Sequence, residues 1–249
     1  MQVKVDICFL QSKLDDDVEK EMNRIKSCCS SDSAAQFQQS SPLIVAGLVK
    51  RFNRSSSSSS RLCGRTEQVE AVNNLTFGIE RGTCFGFLGS NGAGKSTTFR
   101  MLTGEIRPSA GTAYINGYDM LGSSSSSSRQ SLAFCPQFDY LADFLTVSET
   151  LAFYAGLRGL LDEATTIVRD LSRVFELDDG RLAHTQIRSL SGGNKRKVSA
   201  AVAFIGNPRL VLLDEPTSGM DPAARRHLWT VIRRACRQAH MTVMLTTHK

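Results

Sequence analysis

The sequence predicts an α/β fold built around a mostly parallel β-sheet. Short runs with strand character alternate along the chain with segments of helical periodicity. The run Leu210–Leu213 is apolar at all four positions, as a strand buried on both faces of a sheet requires. A second apolar run, Thr83–Leu88, ends in a glycine-rich turn that leads directly into a helical segment. Helices of this kind are the usual connections between parallel strands.

The individual elements follow from hydrophobic periodicity and from the residues that interrupt it. Apolar or alternating runs predict strands at Leu43–Phe52, Val72–Ile79, Thr83–Leu88, Thr112–Ile115, Leu132–Cys135, Leu210–Leu213 and Met241–Thr246. Apolar residues that recur every three or four positions predict helices at Lys95–Thr103, Val147–Leu157, Asp162–Phe175, Gly192–Ile205 and Pro222–Ala239. The chemically informative motifs all lie at the ends of these elements.

The chain has 249 residues, of which 41% are hydrophobic and 22% are charged, close to the averages of soluble globular proteins. This length suits one domain with an additional segment, and this composition excludes a collagen-like or wholly disordered chain. No run approaches the roughly 18 apolar residues of a membrane-spanning helix, and the first twenty residues lack the pattern of a secretory signal. We therefore expect no membrane-spanning segment and no secretory route.

Residues 1–42 are predicted to form a linker or tail that is largely disordered. The chain is polar from residue 11 onwards, with an acidic cluster followed by a Ser/Gln-rich stretch, and one short helix is expected across Asp16–Ile25. The globular domain then spans residues 43–249. Two runs of six serines, Ser55–Ser60 and Ser123–Ser128, interrupt this domain. We expect them to be flexible loops without a functional role.

The net charge of +6 is unevenly distributed along the chain. From Arg181 onwards, twelve Lys and Arg residues stand against three carboxylates. The cluster Lys195-Arg196-Lys197 and the arginines of the last predicted helix suit a phosphate or an acidic partner, but most such charges are solvated helix faces. We therefore predict no nucleic-acid partner.

The seven cysteines are scattered and have no paired C-x-x-C spacing. This distribution fits neither a disulfide framework nor a zinc site, and it indicates a reducing environment. Cys84 and Cys135 lie in apolar runs, where thiols act as small hydrophobic side chains.

A phosphate-binding loop is predicted between the strand Thr83–Leu88 and the helix that follows it. The glycines of such a loop allow backbone N–H groups to converge on phosphate oxygens, and the helix directs its positive end at the same charge. Lys95 is expected to bridge the β- and γ-phosphates and Ser96 to bind Mg²⁺, with Thr97 among the nucleotide contacts. The alternative is a glycine-rich loop without a ligand. The residues that match G-x-x-x-x-G-K-[ST] are Gly89, Ser90, Asn91, Gly92, Ala93, Gly94, Lys95 and Ser96.

Two carboxylates follow the apolar strand Leu210–Leu213, which is the form of a Walker B segment. Asp214 is expected to hold Mg²⁺ through its water shell, and Glu215 to polarise the attacking water. Acidic pairs at strand ends are common, so the pattern alone is weak evidence. Its position after a phosphate loop makes it strong evidence for nucleotide chemistry.

Four motifs, including the Walker B segment, resemble those of ABC-type ATPases. The segment Leu190–Asn194 resembles the LSGGQ signature, and Asp214–Pro222 resembles the Walker B and D-loop segment of that family. Gln137 matches the Q-loop glutamine, and His248 matches the switch histidine. With the phosphate loop, five motifs occur in family order between Leu43 and Lys249.

The finer resemblance is to the second nucleotide-binding domain of the A subfamily of ABC transporters, the lipid-handling full transporters. It implies a P-loop NTPase core with a mostly parallel sheet, an antiparallel β subdomain and a helical signature subdomain. Family members continue beyond the switch histidine, so the domain is expected to be truncated after His248. The segments that carry this resemblance are Asp15–Ile25, Cys84–Gly86, Thr98–Gly104, Cys135–Asp139 and Ser191–Lys197.

The resemblance also implies roles for individual residues. Phe52 is expected to stack on adenine, and the alternative is an ordinary core phenylalanine. Gln137 is expected to reach Mg²⁺ and the attacking water, and His248 to bond the γ-phosphate. The start of the signature helix is expected to close on ATP held by a companion domain, and the alternative is a simple helix N-cap. The residues at this helix start are Ser191, Gly192 and Gly193.

Together the motifs predict an ATP-binding and hydrolysing cassette that uses ATP and Mg²⁺. The resemblance implies dimerisation with a companion nucleotide-binding domain, and coupling to transmembrane domains at the cytosolic face of a membrane. Lipid is then the expected cargo, not bound by this domain. The isolated chain is expected to hydrolyse ATP weakly or not at all, because half of each site comes from the companion. Two alternatives stay open: a regulatory nucleotide-binding module with little hydrolysis, and a soluble ABC ATPase of translation.

Overall fold

The computed structural model describes residues 5–9, 23, 25, 41–54, 67–122 and 130–247 of the chain. Most of the predicted linker, both serine runs and His248 lie outside these described residues. Of the helix expected across Asp16–Ile25, only Asn23 and Ile25 are described, and both are helical. Among the described residues, no helix has the length and apolar character needed to cross a bilayer.

The chain forms two compact units. The first, here called the parallel-sheet unit, comprises Met1–Cys8, Glu80–Leu88 and Gln130–Lys249. The second, the antiparallel-sheet unit, comprises Phe9–Ile79 and Gly89–Arg129. The predicted combination of a mostly parallel sheet, an antiparallel sheet and helices is confirmed.

The strands are numbered in chain order. They are β1 Val5–Phe9, β2 Leu43–Arg54, β3 Glu67–Ile79, β4 Cys84–Leu88, β5 Ala110–Ile115, β6 Tyr118–Asp119, β7 Leu132–Cys135, β8 Leu210–Leu213 and β9 Thr242–Thr247. No strand is predicted from the sequence at the positions of β1 and β6. Both are short, and a two-residue strand such as β6 contains too few positions for a periodic pattern to be recognised.

The parallel-sheet unit contains a five-stranded sheet with the order β1-β4-β9-β8-β7. Strands β4, β9, β8 and β7 are parallel, with Cys84 paired to Val243, Val211 to Val243 and Cys135 to Leu213. All four residues of β8 are buried, as its continuous apolar sequence predicts. Because these strands are parallel, their carboxyl ends meet at one edge of the sheet. The segments that follow β7 and β8 at this edge carry Gln137 and the acidic pair Asp214 and Glu215.

The antiparallel-sheet unit contains a four-stranded sheet with the order β3-β2-β5-β6. Strand β2 pairs with β3 on one side and with β5 on the other, so that Leu43 lies between Ile79 and Ile115. Its side chains Leu43, Ile44 and Val45 are fully buried. Three of the strands are longer than predicted, since β2 extends to Arg54, β3 begins at Glu67 and β5 begins at Ala110.

Five α-helices of eight or more residues occur among the described residues, besides short 3-10 helices at Leu182–His184 and Ile187–Ser189. The five agree with the predicted segments to within two residues at each end. They are α1 Lys95–Leu102, α2 Val147–Leu157, α3 Ala164–Val174, α4 Gly192–Ala203 and α5 Pro222–Gln238. Helix α2 begins at a capping box in which Thr146 accepts from the backbone N–H of Glu149, whose carboxylate accepts from the N–H of Thr146. Helix α5 begins with Asp221 as N-cap and Pro222 at its first turn.

The core of the parallel-sheet unit lies among its strands and the helices α2, α4 and α5. Leu151, Val198 and Leu228 from these helices are buried with Leu213 and Val243 from the sheet. Burying a Leu or Val side chain contributes about 1.5–3 kcal/mol relative to leaving it exposed. This packing supports the edge of the sheet from which the candidate site residues project.

Candidate functional site

The predicted phosphate loop follows β4 directly and ends where α1 begins. Lys95 is only 6% exposed, and its ammonium group donates to the carbonyl oxygens of Gly89 at 2.6 Å and Ser90 at 3.0 Å. The N–H of Ala93 donates to the carbonyl of Ser90 at 3.2 Å. The loop therefore folds around the lysine that the motif predicts to contact phosphate.

Gly94 occupies the N-cap of α1 in a left-handed conformation, with φ near +90°. A Cβ at this position would overlap the carbonyl oxygen of Ala71 on β3 and press on the side chain of Val72. Only glycine satisfies both the backbone conformation and the close approach of β3. The glycine at this position of the motif is therefore required by steric contacts within this unit, independently of any ligand.

The loop and the first turn of α1 fit a bound phosphate. The first N–H groups of an α-helix have no partner within the helix, and the helix dipole adds a positive potential at the same end. Ser96 is exposed and Thr97 is half-buried at this helix start, so their hydroxyl groups are accessible. These backbone donors, the Lys95 ammonium and the hydroxyl groups match the chemistry of a triphosphate with its Mg²⁺.

Asp214 and Glu215 follow β8 and share one partner, the hydroxyl of Thr246 on β9. The Thr246 hydroxyl donates to Asp214 Oδ1 at 2.6 Å and accepts from the Glu215 backbone N–H at 3.0 Å. Asp214 is only 4% exposed, whereas Glu215 is half-buried. Glu215 also has φ near +48°, a left-handed conformation that is uncommon for a residue with a side chain. Thr246 is a site residue that the sequence analysis missed.

Gln137 lies just beyond the end of β7 and is half-buried. Strand β7 is the neighbour of β8, and the N–H of Asp214 donates to the carbonyl of Cys135 at 2.9 Å. The parallel register therefore brings the Gln137 segment and the Asp214 segment to the same edge of the sheet. Their oxygen atoms are the hard ligands that Mg²⁺ prefers.

Arg196 on α4 is a second site residue that the sequence analysis missed. The expectation that most charges of such a basic cluster lie on a solvated helix face does not hold for this residue, which is only 2% exposed. Its guanidinium contacts the Gln137 segment through Pro136 and Asp139, and the Walker B segment through Asp214, Glu215 and Pro216. A basic residue one turn into a helix can face either solvent or the protein interior. Only the packing of α4 shows that Arg196 faces the interior.

Ser191 is the N-cap of α4, as the simpler sequence alternative states. Its side chain accepts from the backbone N–H of Asn194 at 3.3 Å. Ser191 and Gly192 are exposed, and Gly193 is half-buried. Capping and anion binding at a helix start are compatible, so the expected contact with a companion's ATP stays a prediction.

Phe52 lies near the end of β2 and is 40% exposed. The alternative that it is an ordinary core phenylalanine is therefore wrong. The ammonium of Lys50 lies 5.1 Å from the centre of its ring, a cation–π arrangement. This exposure leaves part of the ring accessible to a planar ligand, as the predicted stacking on adenine requires.

The predicted site residues are distributed over both units. The phosphate loop and Phe52 belong to the antiparallel-sheet unit, whereas Gln137, Ser191 and the two carboxylates belong to the parallel-sheet unit. Strand β9 ends at Thr247, which pairs with Leu88, the last residue before the phosphate loop. His248 follows Thr247 in the chain but lies outside the described residues, so its role stays a prediction.

Three cysteines of the parallel-sheet unit are free and buried. Burial raises the pKa of the Cys84 thiol to about 11 and that of Cys236 to about 12, and it also raises the pKa of Cys135. Thiols of this kind are protonated at neutral pH and poor nucleophiles. Their placement agrees with the prediction that they act as small hydrophobic side chains.

Comparison with known proteins decides the family. Residues 72–218 match the sequence profile of the ABC transporter family. The chain belongs to this family. It is an ABC-type ATPase cassette, and its α/β fold with parallel and antiparallel sheets is that of the solved cassettes.

The relatives of the cassette include members of the A subfamily, as the sequence motifs indicate. It is 43% identical over 179 residues to the phospholipid-transporting ATPase ABCA3 of Mus musculus, covering 72% of this chain and 10% of that protein. It is 48% identical over 178 residues to the retinal-specific phospholipid-transporting ATPase ABCA4 of Bos taurus, covering 72% of this chain and 8% of that protein. The chain thus spans about a tenth of the length of these curated relatives.

Solved structures resemble the cassette over most of its length. An ATP-binding subunit of an ABC transporter is 29% identical, with a TM-score of 0.68, covering 83% of this chain and 79% of that one. The dimeric cassette MJ0796 bound to ADP and Pi is 22% identical, with a TM-score of 0.72, covering 83% and 88% of the two chains. At 22% identity, the similarity to MJ0796 shows only that the two proteins share a fold.

Proposed function

We propose that this cassette binds and hydrolyses ATP and that the hydrolysis powers transport of lipid across a membrane. One observation carries the hydrolytic part of the proposal. Glu215, a half-buried carboxylate at the end of β8, has its backbone held by Thr246 on one side and by Arg196 on the other. A general base needs such a fixed position to remove a proton from water efficiently.

Each residue of the candidate site has a separate task. The phosphate loop and Lys95 bind the triphosphate, and Phe52 stacks on the adenine ring. Glu215 accepts the proton of the attacking water, and His248 bonds the γ-phosphate. Mg²⁺ would be held by Ser96, Gln137 and Asp214, and it would supply positive charge that neutralises the phosphate oxygens.

The cassette acts with a companion nucleotide-binding domain in this proposal. The exposed start of α4, at Ser191 and Gly192, is suited to contact a nucleotide held by that companion. The solved cassette MJ0796, which shares this fold, is itself dimeric. Closure and opening of the pair then drive transmembrane domains from the cytosolic face of the membrane.

The lipid cargo is supported by the relatives rather than by the cassette itself. The names of ABCA3 and ABCA4 describe phospholipid-transporting ATPases. The identities of 43% and 48% place this chain near them, and its motifs resemble those of their second nucleotide-binding domain. The cargo contacts the transmembrane domains, so no residue of this chain is assigned to lipid.

Single-turnover hydrolysis by the cassette co-assembled with its companion tests the proposal, with Glu215→Gln as the variant. We expect this change to lower the hydrolysis rate about 10²–10⁴-fold, because that is the usual contribution of a general base. The affinity for a fluorescent ATP analogue should be retained, since the variant keeps the phosphate loop. The isolated chain should turn over slowly, and its rate per chain should rise with protein concentration.

Three results would contradict the proposal. Equal hydrolysis rates in the variant and in the parent would indicate a regulatory nucleotide-binding module. Fast hydrolysis by the isolated chain that does not depend on its concentration would remove the need for a companion. A full-length parent without membrane-spanning segments would favour the soluble ATPase of translation.

A further inference from the structure

We propose that Arg196 is a positioning residue for ATP hydrolysis, which holds the Glu215 backbone and the Gln137 segment in one arrangement. This inference rests on the proposed hydrolytic function of the cassette. All of the residues involved belong to the parallel-sheet unit. Arg196 acts through these segments and is not assigned a contact with ATP.

Every N–H of the Arg196 guanidinium has an acceptor. A guanidinium has five N–H donors, and the structure gives it five hydrogen bonds. Nε donates to the carbonyl of Pro216 at 3.3 Å, and Nη1 donates to the carbonyl of Pro136 at 2.5 Å and to Asp139 Oδ1 at 2.9 Å. Nη2 donates to the carbonyls of Asp214 at 2.5 Å and Glu215 at 3.1 Å.

This arrangement needs an arginine. Four of the five acceptors are backbone carbonyls, and Asp139 supplies the single carboxylate. Burying a charged group costs free energy unless its hydrogen-bonding groups have partners. Because all five N–H groups of Arg196 are paired, any movement of their acceptors would lose hydrogen bonds, and this favours the observed geometry. A lysine ammonium carries its three donors on one nitrogen and cannot span two chain segments in the same way.

The contact matters most at Glu215 because its backbone is in the left-handed region, with φ near +48°. Such a conformation costs of order 1–3 kcal/mol and persists only where surrounding contacts hold it. The Glu215 carbonyl accepts from Arg196 Nη2 and from the N–H of Ser218, while its own N–H donates to Thr246. These bonds set the direction in which the Glu215 side chain leaves the backbone.

Arg196 also connects three motifs that the sequence places far apart. It projects from α4, the helix that begins with the signature residues Ser191 and Gly192. Its partners lie 57 to 60 positions earlier in the chain, at Pro136 and Asp139, and 18 to 20 positions later, in the Walker B segment. A change in the position of α4 would therefore alter the position of Glu215, the proposed general base, through the Arg196 side chain.

The test compares Arg196→Met and Arg196→Lys with the matched control Lys197→Met. The control removes a neighbouring positive charge on the same helix and an ion pair with Glu176 at 3.1 Å. The contacts that the structure gives to Lys197 do not include the Walker B segment. Hydrogen exchange and binding of a fluorescent ATP analogue are measured on the 249-residue chain. Single-turnover hydrolysis is measured on the chain co-assembled with its companion.

For Arg196→Met we expect the hydrolysis rate to fall about 10²-fold, the effect of a small misplacement of a catalytic group. Affinity for the ATP analogue should stay within about twofold, because the phosphate loop is unchanged. The backbone amides of residues 213–217 other than Pro216 should exchange about tenfold faster or more. Arg196→Lys should have a smaller deficit, and Lys197→Met should match the parent in all three measurements.

Three outcomes would overturn the inference. The first is an unchanged hydrolysis rate, and the second is unchanged exchange at residues 213–217, in Arg196→Met. The third is a loss of ATP affinity in parallel with hydrolysis, which would assign Arg196 a general structural role. If Arg196→Met does not fold, Arg196→Lys is judged by the same criteria. If the parent itself fails to hydrolyse ATP, the proposed function fails, and the exchange measurement alone decides whether Arg196 holds this segment.

Discussion

The hydroxyl of Thr246 lies 2.6 Å from Asp214 Oδ1 and donates a hydrogen bond to it. The same hydroxyl accepts from the backbone N–H of Glu215 at 3.0 Å. Thr246 is fully buried on β9, and the two acidic residues follow the neighbouring strand β8. One side chain thus joins the two carboxylate-bearing residues of the site, and it uses both the donor and the acceptor capacity of a hydroxyl group.

Replacing Thr246 with Val should weaken both the fold and the hydrolysis of ATP. The substitution keeps the shape of the side chain but leaves the N–H of Glu215 and a buried oxygen of Asp214 without this partner. We expect a loss of about 1–3 kcal/mol in the free energy of unfolding, measured by urea denaturation. Thr246→Ser is the matched control, because it keeps the hydroxyl group and should recover most of the stability. Equal stability of the Val and Ser variants would show that the hydroxyl bonds contribute little.

Gly94→Ala should destabilise the antiparallel-sheet unit and impair nucleotide binding. The added Cβ meets the carbonyl oxygen of Ala71, and φ near +90° is strained for any residue other than glycine. The expected cost is about 1–3 kcal/mol in the free energy of unfolding, together with weaker binding of a fluorescent ATP analogue. Gly180→Ala is the control, because the described residues leave open space around its Cβ position. A Gly94→Ala protein as stable as this control would contradict the steric account.

The stability of the fold should depend on pH through Asp221, the N-cap residue of α5. Hydrogen bonds from the backbone N–H groups of Ala224 and Ala223 lower the pKa of Asp221 below its usual value of 3.8. A carboxyl group with a lowered folded-state pKa stabilises the fold above its unfolded pKa, and this contribution disappears as pH falls through the folded pKa. The melting temperature of the parent should therefore exceed that of Asp221→Asn at neutral pH. The difference should shrink below about pH 3.8, and a pH-independent difference would exclude this linkage.

Local sequence patterns are sufficient for most of the fold because the elements are short and strongly patterned. The continuous apolar run of β8 and the N-cap residue Asp221 followed by Pro222 mark their elements without help from distant residues. The phosphate loop is equally local, since its glycines and Lys95 lie within eight consecutive positions. The predicted boundaries of the helices accordingly agree with the structure to within two residues.

Two features of the fold depend on contacts between distant parts of the chain and could not be predicted from local patterns. The strand β1 at Val5–Phe9 lies in a segment predicted to be part of a linker, and it joins the sheet next to β4. Its formation depends on an edge that a distant part of the chain provides, and five residues carry too little periodicity to indicate it. Similarly, Phe52 is exposed because it lies near the end of β2. Its residue type alone could not show whether the ring is exposed or buried.

The sequence by itself determined the class of fold, the phosphate loop and the identity of the acidic residues Asp214 and Glu215. Only the tertiary structure decided how that acidic pair is held. The bonds to Thr246 and Arg196 join residues separated by 18 to 32 positions, and they require the parallel register of β8 and β9 and the packing of α4. Arg196 stands in a basic cluster that is typical of a solvated helix face, and its burial depends on acceptors that lie on other elements. Local composition carries no information about such distant acceptors, so the fold had to be known first.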